Sequence, residues 1–305
     1  MSNQPENFWA SKRRQEATFN TVGLVVLLVG AVTMLAPLLW MLSTSLKTPN
    51  QVFAVPPVWV PSPPQWGNYS KAWAVSGIFA SEYWSLLWIR IQGITFSTYA
   101  WNTLVITVLS CTGTTLSSAL VAFAFARLRF PGRDTLFILC LATLMVPGQV
   151  TMIPSFILFK TLGWYDTIYP LVVPAFLGGG AYNIFLMRQF FMTIPYELDE
   201  AAKIDGCSNL GLFWNILLPL CKPALATVSI FSFVYNWNDF LNPLIYLDSN
   251  ANKTLALGLT NFVSLYGQDY HLLMAASLLI SIPIIVMFLA GQQHFIKGVV
   301  TTGLK

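Results

Sequence analysis

Few side chains in this sequence are placed to do chemistry. Asp239 is the one carboxylate near the body of an apolar run, with Asn236 and Asn238 beside it. At about 1.5 Å per helical residue it lies roughly 22 Å along from Ala224, toward the outer third of a span. Polar groups at such depth are costly and tend to mark a solute pathway or gate. An interfacial Asp that reaches water is the other reading, and the sequence leaves both open. Nothing beside it completes an acid–base or nucleophile pair. The strings GxxxxGK[ST], HExxH and GxSxG are absent, so neither a phosphate-binding loop nor a hydrolase centre is expected. Cys111, Cys140, Cys207 and Cys221 form no CxxC pair, which argues against a disulfide frame or a zinc site. His271 and His294 lack ligand spacing and read as membrane-flanking polar residues.

A second group is made of residues that break helices. Gly178-Gly179-Gly180 follow Pro170 and Pro174 in one apolar run, and Pro147, Gly148 and Pro154 fall in another. Glycine and proline should bend these spans, and irregular backbone is tolerated in lipid where it lines a cavity or is buried in protein. The glycines are therefore read as pathway candidates, with close helix packing as the alternative. Thr107, Ser110, Thr112, Gly113, Thr114, Thr115, Ser117 and Ser118 share one run. There, small and hydroxyl side chains read as interhelical packing.

The third group is a polar loop, 188–219. Thr193-Ile194-Pro195 signals a helix start, and Glu197, Asp199 and Glu200 suit the positive end of that helix. Leu198, Ala201 and Ala202 share a face at i, i+3, i+4 spacing. Gly206 suits a left-handed cap, and Ser208 can cap a second helix that ends at Pro219. The result is a short helix with a narrow small-residue face, joined to a stiff second helix. An ordinary amphipathic helix lying on the membrane surface is the plainer reading.

The elements that must hold these groups are membrane spans. The chain has 305 residues, 55% of them hydrophobic and 9% charged, against about 25% charged in soluble domains. A span needs about 20 apolar residues. Six stretches qualify: Val22–Leu46, Trp101–Phe125, Thr135–Phe159, Ile168–Met187, Leu220–Leu247 and Leu272–Gly291. In lipid each must be helical. With the N-terminus inside, the inner segments hold Lys12, Arg13, Arg14, Arg127, Arg129, Arg133, Arg188, Lys203, Lys222, Lys297 and Lys305. The outer ones hold Lys47, Lys71, Arg90, Lys160 and Lys253, so 11 + 5 accounts for all 16 basic residues. That asymmetry puts both termini in the cytoplasm. The reading is an all-α membrane protein of six transmembrane helices: a cytoplasmic N-terminal segment, 1–20, and one transmembrane domain, 21–305. The polar start, followed by so long an apolar run, does not read as a cleaved signal peptide.

Glu200-Ala201-Ala202, three residues, Gly206, nine residues, then Ile216-Leu217-Leu218-Pro219 is similar to the EAA motif of ATP-binding-cassette (ABC) importer permeases. The stretch 122–133, Met145-Val146-Pro147, Trp237-Asn238-Asp239-Phe240 and the tail 292–298 resemble maltose-type carbohydrate permeases. Over roughly residues 20–305 the chain resembles the smaller maltose permease subunit of that binding-protein-dependent family. The resemblance implies a type I ABC importer permease fold whose cytoplasmic coupling helix docks on an ATPase. Glu200, Ala201, Ala202, Asp205 and Gly206 would take the docking positions, and Ile216, Leu218 and Pro219 the end of the lever. Gly303, Leu304 and Lys305 would be further ATPase contacts. It also implies a carbohydrate, or a related solute such as glycerol phosphate, as cargo. The implied partners are a second homologous permease, two copies of the ATPase subunit, an extracellular or periplasmic solute-binding protein and the lipid bilayer, with no nucleic acid. ATP and Mg would bind the ATPase subunits, with no cofactor on this chain and no enzymatic activity of its own. The location implied is a bacterial or archaeal cytoplasmic (inner) membrane. The outer loop around Ala80–Gly93 is longer than the family pattern. A secondary transporter would be expected to show mid-bilayer ion-coupling carboxylates and often an inverted repeat, and neither is evident.

Overall fold

The computed structural model describes residues 6–74, 96–264 and 267–300. The extended loop around Ala80–Gly93 and the tail Gly303-Leu304-Lys305 lie outside the described residues. The chain forms two compact units, Met1–Ala72 with Leu265–Leu279, and Trp73–Ser264 with Ile280–Lys305.

The first unit is dominated by α1, Glu6–Ser45. The helix starts within the polar N-terminal segment and runs unbroken into the first apolar stretch. From Glu16 onward its apolar side chains face outward all round, with Val26, Val32 and Met34 among the most exposed. A helix apolar on every side belongs in lipid. Burial begins only at its C-terminal end, at Thr44, Ser45 and Lys47. The last carbonyls of a helix lack intrahelical partners, and here Asn68 supplies them. Its amide donates to the Ser45 carbonyl at 2.8 Å and to the Lys47 carbonyl at 2.9 Å. Asn68 sits on α2, Gly67–Ala74. The Lys47 ammonium lies 3.8 Å over the Trp40 ring.

The second unit is built around α3, Phe96–Arg127. Its hydroxyl and small residues form the seams that the sequence suggested. Ser110 donates to the Leu171 carbonyl at 2.9 Å and Ser117 to the Ala175 carbonyl at 2.8 Å. Thr115 and Ser229 share a hydrogen bond at 3.0 Å, and Cys111 donates to the Ser229 carbonyl. These contacts join α3 to the broken fourth span and to α8, Lys222–Trp237. The other helices of six or more residues, apart from a π-helix described below, are α4, Arg133–Ala142, α5, Gly148–Thr161, α6, Ala181–Thr193, α7, Glu197–Ile204, α9, Leu241–Tyr246, and α10, Tyr270–Val300. Apart from two strands of two residues each, the described regular structure is helical.

Among the described residues, four helical segments are long and apolar enough to cross a membrane, and the number reaches six if each of two bent pairs is one span. The third span is one of those pairs. The chain turns by 98° between Met145 and Gly148. Val146 there is extended, as the residue before a proline prefers. The bend falls at Pro147 and Gly148, and Pro154 stays inside α5. The other pair bends by 80° between Leu220 and Lys222. The fifth apolar stretch therefore differs from one continuous helix over Leu220–Leu247. It starts at Lys222, stops at Trp237 and resumes as α9.

Gly178, Gly179 and Gly180 all have positive φ, at 114°, 67° and 86°. They split the fourth span between Phe176 and Ala181. A Cβ on Gly179 would run into the Thr114 carbonyl and the Ser117 and Ser118 side chains of α3, whereas one on Gly180 meets nothing closer than 3.9 Å. Gly179 thus serves close packing.

At the opposite end of α3 from Arg127, Asp166 ties two loops together. Its carboxylate accepts from the backbone N–H of Asp248 and of Ser249, both at 3.0 Å, and from the Ser249 hydroxyl and the Asn252 amide, both at 3.2 Å. Asn252 also donates to the Asp166 carbonyl at 2.7 Å. Partial burial raises the Asp166 carboxyl, but the two backbone donors and the two side chains outweigh it and hold the group below its ordinary value of 3.8. No sequence pattern marked this residue.

Two outcomes follow from this architecture. Gly179→Ala should destabilise the purified protein more than Gly180→Ala in thermal unfolding. Both incur a cost of about 1–3 kcal/mol for a side chain in a sparsely populated backbone region, and only Gly179→Ala adds a clash. Asp166→Asn should lower the unfolding temperature at neutral pH. Because the folded carboxyl is depressed, its contribution is present above 3.8 and is lost as pH falls through the folded value. The gap between wild type and Asp166→Asn should therefore close in strongly acidic buffer.

Candidate functional site: the loop helix and its seat

The loop between α6 and α8 forms as the local signals predict. Three acidic residues stand in the first turn of α7. Gly206, at φ 77°, closes the helix, with Gly206 N–H donating to the Lys203 carbonyl at 3.0 Å and Cys207 N–H to the Ala202 carbonyl at 2.8 Å. Ser208 caps the next helical stretch by accepting from Gly211 N–H at 3.1 Å. Beyond that cap the stiff helix expected up to Pro219 is modified. Leu212–Leu217 is a π-helix, followed by the turn Leu218–Leu220 and the 80° bend. Ile216 and Leu218 pack partly buried against the core, and Pro219 is exposed.

The two faces of α7 differ. Glu200, Ala201, Lys203, Ile204, Asp205 and Gly206 are exposed, as is Leu198. Asp199 and Ala202, three residues apart, face inward. Ala202 packs in the cluster that holds Phe123, Phe191, Phe213 and Leu217. The expectation that Ala202 shares a docking face with Ala201 and Leu198 is corrected here. The helix needs one small side chain to sit against the core, and Ala202 supplies it.

Beneath α7 lies a group that the sequence did not disclose. Arg127, the last residue of α3, is buried with its side chain 1% exposed. Its Nη2 donates to the carbonyls of Phe191 and Ile194, both at 2.6 Å. These belong to the last turn of α6 and the residue just past it, and the Phe191 carbonyl also accepts from Ile194 N–H at 3.2 Å. Its Nη1 stands 3.5 Å from Asp199 Oδ2. The Tyr196 ring lies 4.3 Å from its Cζ, and the Tyr196 hydroxyl donates to the Ala126 carbonyl at 3.0 Å. Burial pushes the Asp199 carboxyl up, and the Arg127 charge pulls it back only in part. Arg127 looked like one more cation past the end of an apolar run, and Asp199 like a dipole-favoured first-turn acid. Their pairing spans 72 residues and leaves no local pattern.

The polar candidates near the end of α8 have local partners. Asn236 donates to the Ser232 carbonyl at 2.7 Å and Asn238 to the Val234 carbonyl at 2.9 Å. Asp239 caps α9, accepting from Asn242 N–H at 3.2 Å and from its side-chain amide at 2.8 Å.

Residues 114–300, which contain this site, match the family described as binding-protein-dependent transport system inner membrane component. The chain belongs to that family. It is a multi-pass membrane transport component. Among relatives, it is 38% identical over 210 residues to the arabinooligosaccharides transport system permease protein AraQ of Halalkalibacterium halodurans, covering 69% of this chain and 73% of that one. It is 32% identical over 278 residues to the sn-glycerol-3-phosphate transport system permease protein UgpE of Yersinia enterocolitica, covering 90% and 94%. Its fold matches a chain of a bacterial ABC transporter involved in the import of the acidic polysaccharide alginate. The TM-score is 0.76 at 24% identity, over 92% of this chain and 98% of that one.

The two-faced helix gives a direct check. Ala202→Glu should cost several kcal/mol, because it forces an unpaired charge into a packed core, and should lower the amount of folded protein recovered from membranes. Ala201→Glu, on the exposed face, should leave the yield and the unfolding temperature of the isolated chain unchanged.

Proposed function

We propose that this chain is the permease subunit of an ABC importer that moves a carbohydrate across the cytoplasmic membrane, with α7 as its coupling helix. The observation that carries this is the exposed face of α7, with Glu200, Ala201 and Asp205 presented on a short capped helix inside the region that matches the family. An ATPase subunit docks on that face, with Gly303, Leu304 and Lys305 as further contacts. ATP and Mg are bound by the ATPase subunits. The partners are a second homologous permease, two ATPase copies and a solute-binding protein outside, and both termini lie in the cytoplasm. The arabinooligosaccharide relative supports a sugar cargo. The sn-glycerol-3-phosphate relative, matched over more of both chains, keeps a phosphorylated polyol as the second reading.

Closure of two ATPase subunits on ATP displaces the docked α7 and turns the spans from inward-open to outward-open, a hinge-type motion. A loaded binding protein then delivers solute to the open cavity. Within this chain the pathway runs beside Asn236, Asn238 and Asp239 and the break at Gly178, Gly179 and Gly180. Ala replacement at all three glycines should impair uptake, and unchanged transport would remove them from the pathway.

Glu200→Lys reverses an exposed charge and should weaken ATPase association and uncouple ATP hydrolysis from uptake while the permease still folds. Wild-type uptake by that variant in proteoliposomes would count against the docking assignment. Gly206→Pro should abolish both association and transport, because proline is locked near φ −65° and the position requires 77°. Calorimetry of the cognate binding protein with neutral oligosaccharides and with glycerol phosphate would separate the two cargo readings.

A further inference from the structure

We propose that Arg127 is the positioning residue that passes the motion of α7 directly into α3, so that the main mechanical route bypasses the second loop helix. The inference rests on the reading of α7 as the docking helix. Two routes lead from α7 to the spans. One runs along the chain through residues 208–220 into α8. It contains a π-helix at Leu212–Leu217 and an 80° bend after Leu220, and π segments are irregular turns that often sit at functional sites. A push along that route is absorbed by bending.

The other route is side-chain mediated and short. Arg127 holds the carbonyls of Phe191 and Ile194 at 2.6 Å on one side and faces Asp199 of α7 on the other. The Tyr196 ring covers the guanidinium, and the Tyr196 hydroxyl returns to the α3 backbone. Displacing α7 therefore moves the end of α6 and the end of α3 together. From α3 the motion reaches α8 through Thr115 and Ser229 and the fourth span through Ser110 and Ser117.

The seat also has slack. Arg127 Nε and Nη1 and Asp199 Oδ1 are buried without a hydrogen-bond partner, and the ion pair stands at 3.5 Å, longer than a charge-assisted hydrogen bond of about 2.8 Å. Both partners of the pair therefore keep unused hydrogen-bonding atoms. An anchor that is not fully bonded can adjust as α7 moves between transport states.

The test uses the full complex in proteoliposomes, reading solute taken up per ATP hydrolysed beside ATPase association. The ratio does not change when a variant merely yields less complex. Arg127→Met should keep the ATPase bound and lower uptake per ATP about tenfold, the scale of couplings carried by such networks. Arg127→Lys should fall between, because lysine keeps the charge but not the fork that spans two carbonyls and a carboxylate. Asp199→Asn should lower the ratio less, since the two carbonyl bonds survive. A wild-type ratio in Arg127→Met would overturn the proposal, as would lost association with an unchanged ratio in the complex that remains. If Arg127→Met fails to reach the membrane, Asp199→Asn decides, and an unchanged ratio there overturns it. Glu200→Lys serves as control. If it alters neither association nor ratio, the docking reading fails instead of the Arg127 assignment.

Discussion

A helix that ends near lipid leaves carbonyls with no water to satisfy them, and each such group is costly to leave bare. Much of the specific structure in this chain answers that constraint. Asn68 closes α1 by donating to two carbonyls. Arg127 closes α6 in the same manner. Asn102, on α3, donates to the carbonyls of Ala251 and Lys253 and so pins the loop before Leu255. In every case one polar side chain from a different element reaches two backbone acceptors, so satisfying those carbonyls also fixes how two segments meet.

Arg127 is the case where that structural duty meets transport. A guanidinium is planar and always charged, with five donors in a fixed fork. Two acceptors use part of that fork, leaving donors for Asp199. A buried ion pair of this kind adds little net stability, since desolvation offsets the attraction, but removing one partner leaves an uncompensated charge and is costly. Its value here is positional. It holds α7 on its seat with Ala202 against the core, leaving Glu200 and Ala201 exposed.

The polar residues inside the spans divide along similar lines. Ser110, Thr115 and Ser117 join helices, and Gly179 lets the break in the fourth span approach the α3 backbone. Asn236, Asn238 and Asp239 hold local backbone or capping bonds. These three side chains are thus tied to their own helix ends, whereas the hydroxyls of α3 reach across to other elements.

How far the sequence reached follows from the range of each interaction. Apolar length, positive φ at Gly206, the Ser208 cap and the acidic first turn of α7 are local properties, readable from a few neighbouring residues, and they located the loop helix and the family. The break at Pro147 was also legible, because the residue before a proline is pushed to extended backbone. The inward turn of Ala202 was not, since the i, i+3, i+4 pattern grouped it with Leu198 and Ala201, whereas packing places it with Asp199 on the other side of the helix. The Arg127–Asp199 seat, the Asp166 hub and the π-helix beyond Ser208 were equally hidden. Each joins or answers to residues far apart in the chain, and only the packed helices decide which distant donor meets which orphaned acceptor.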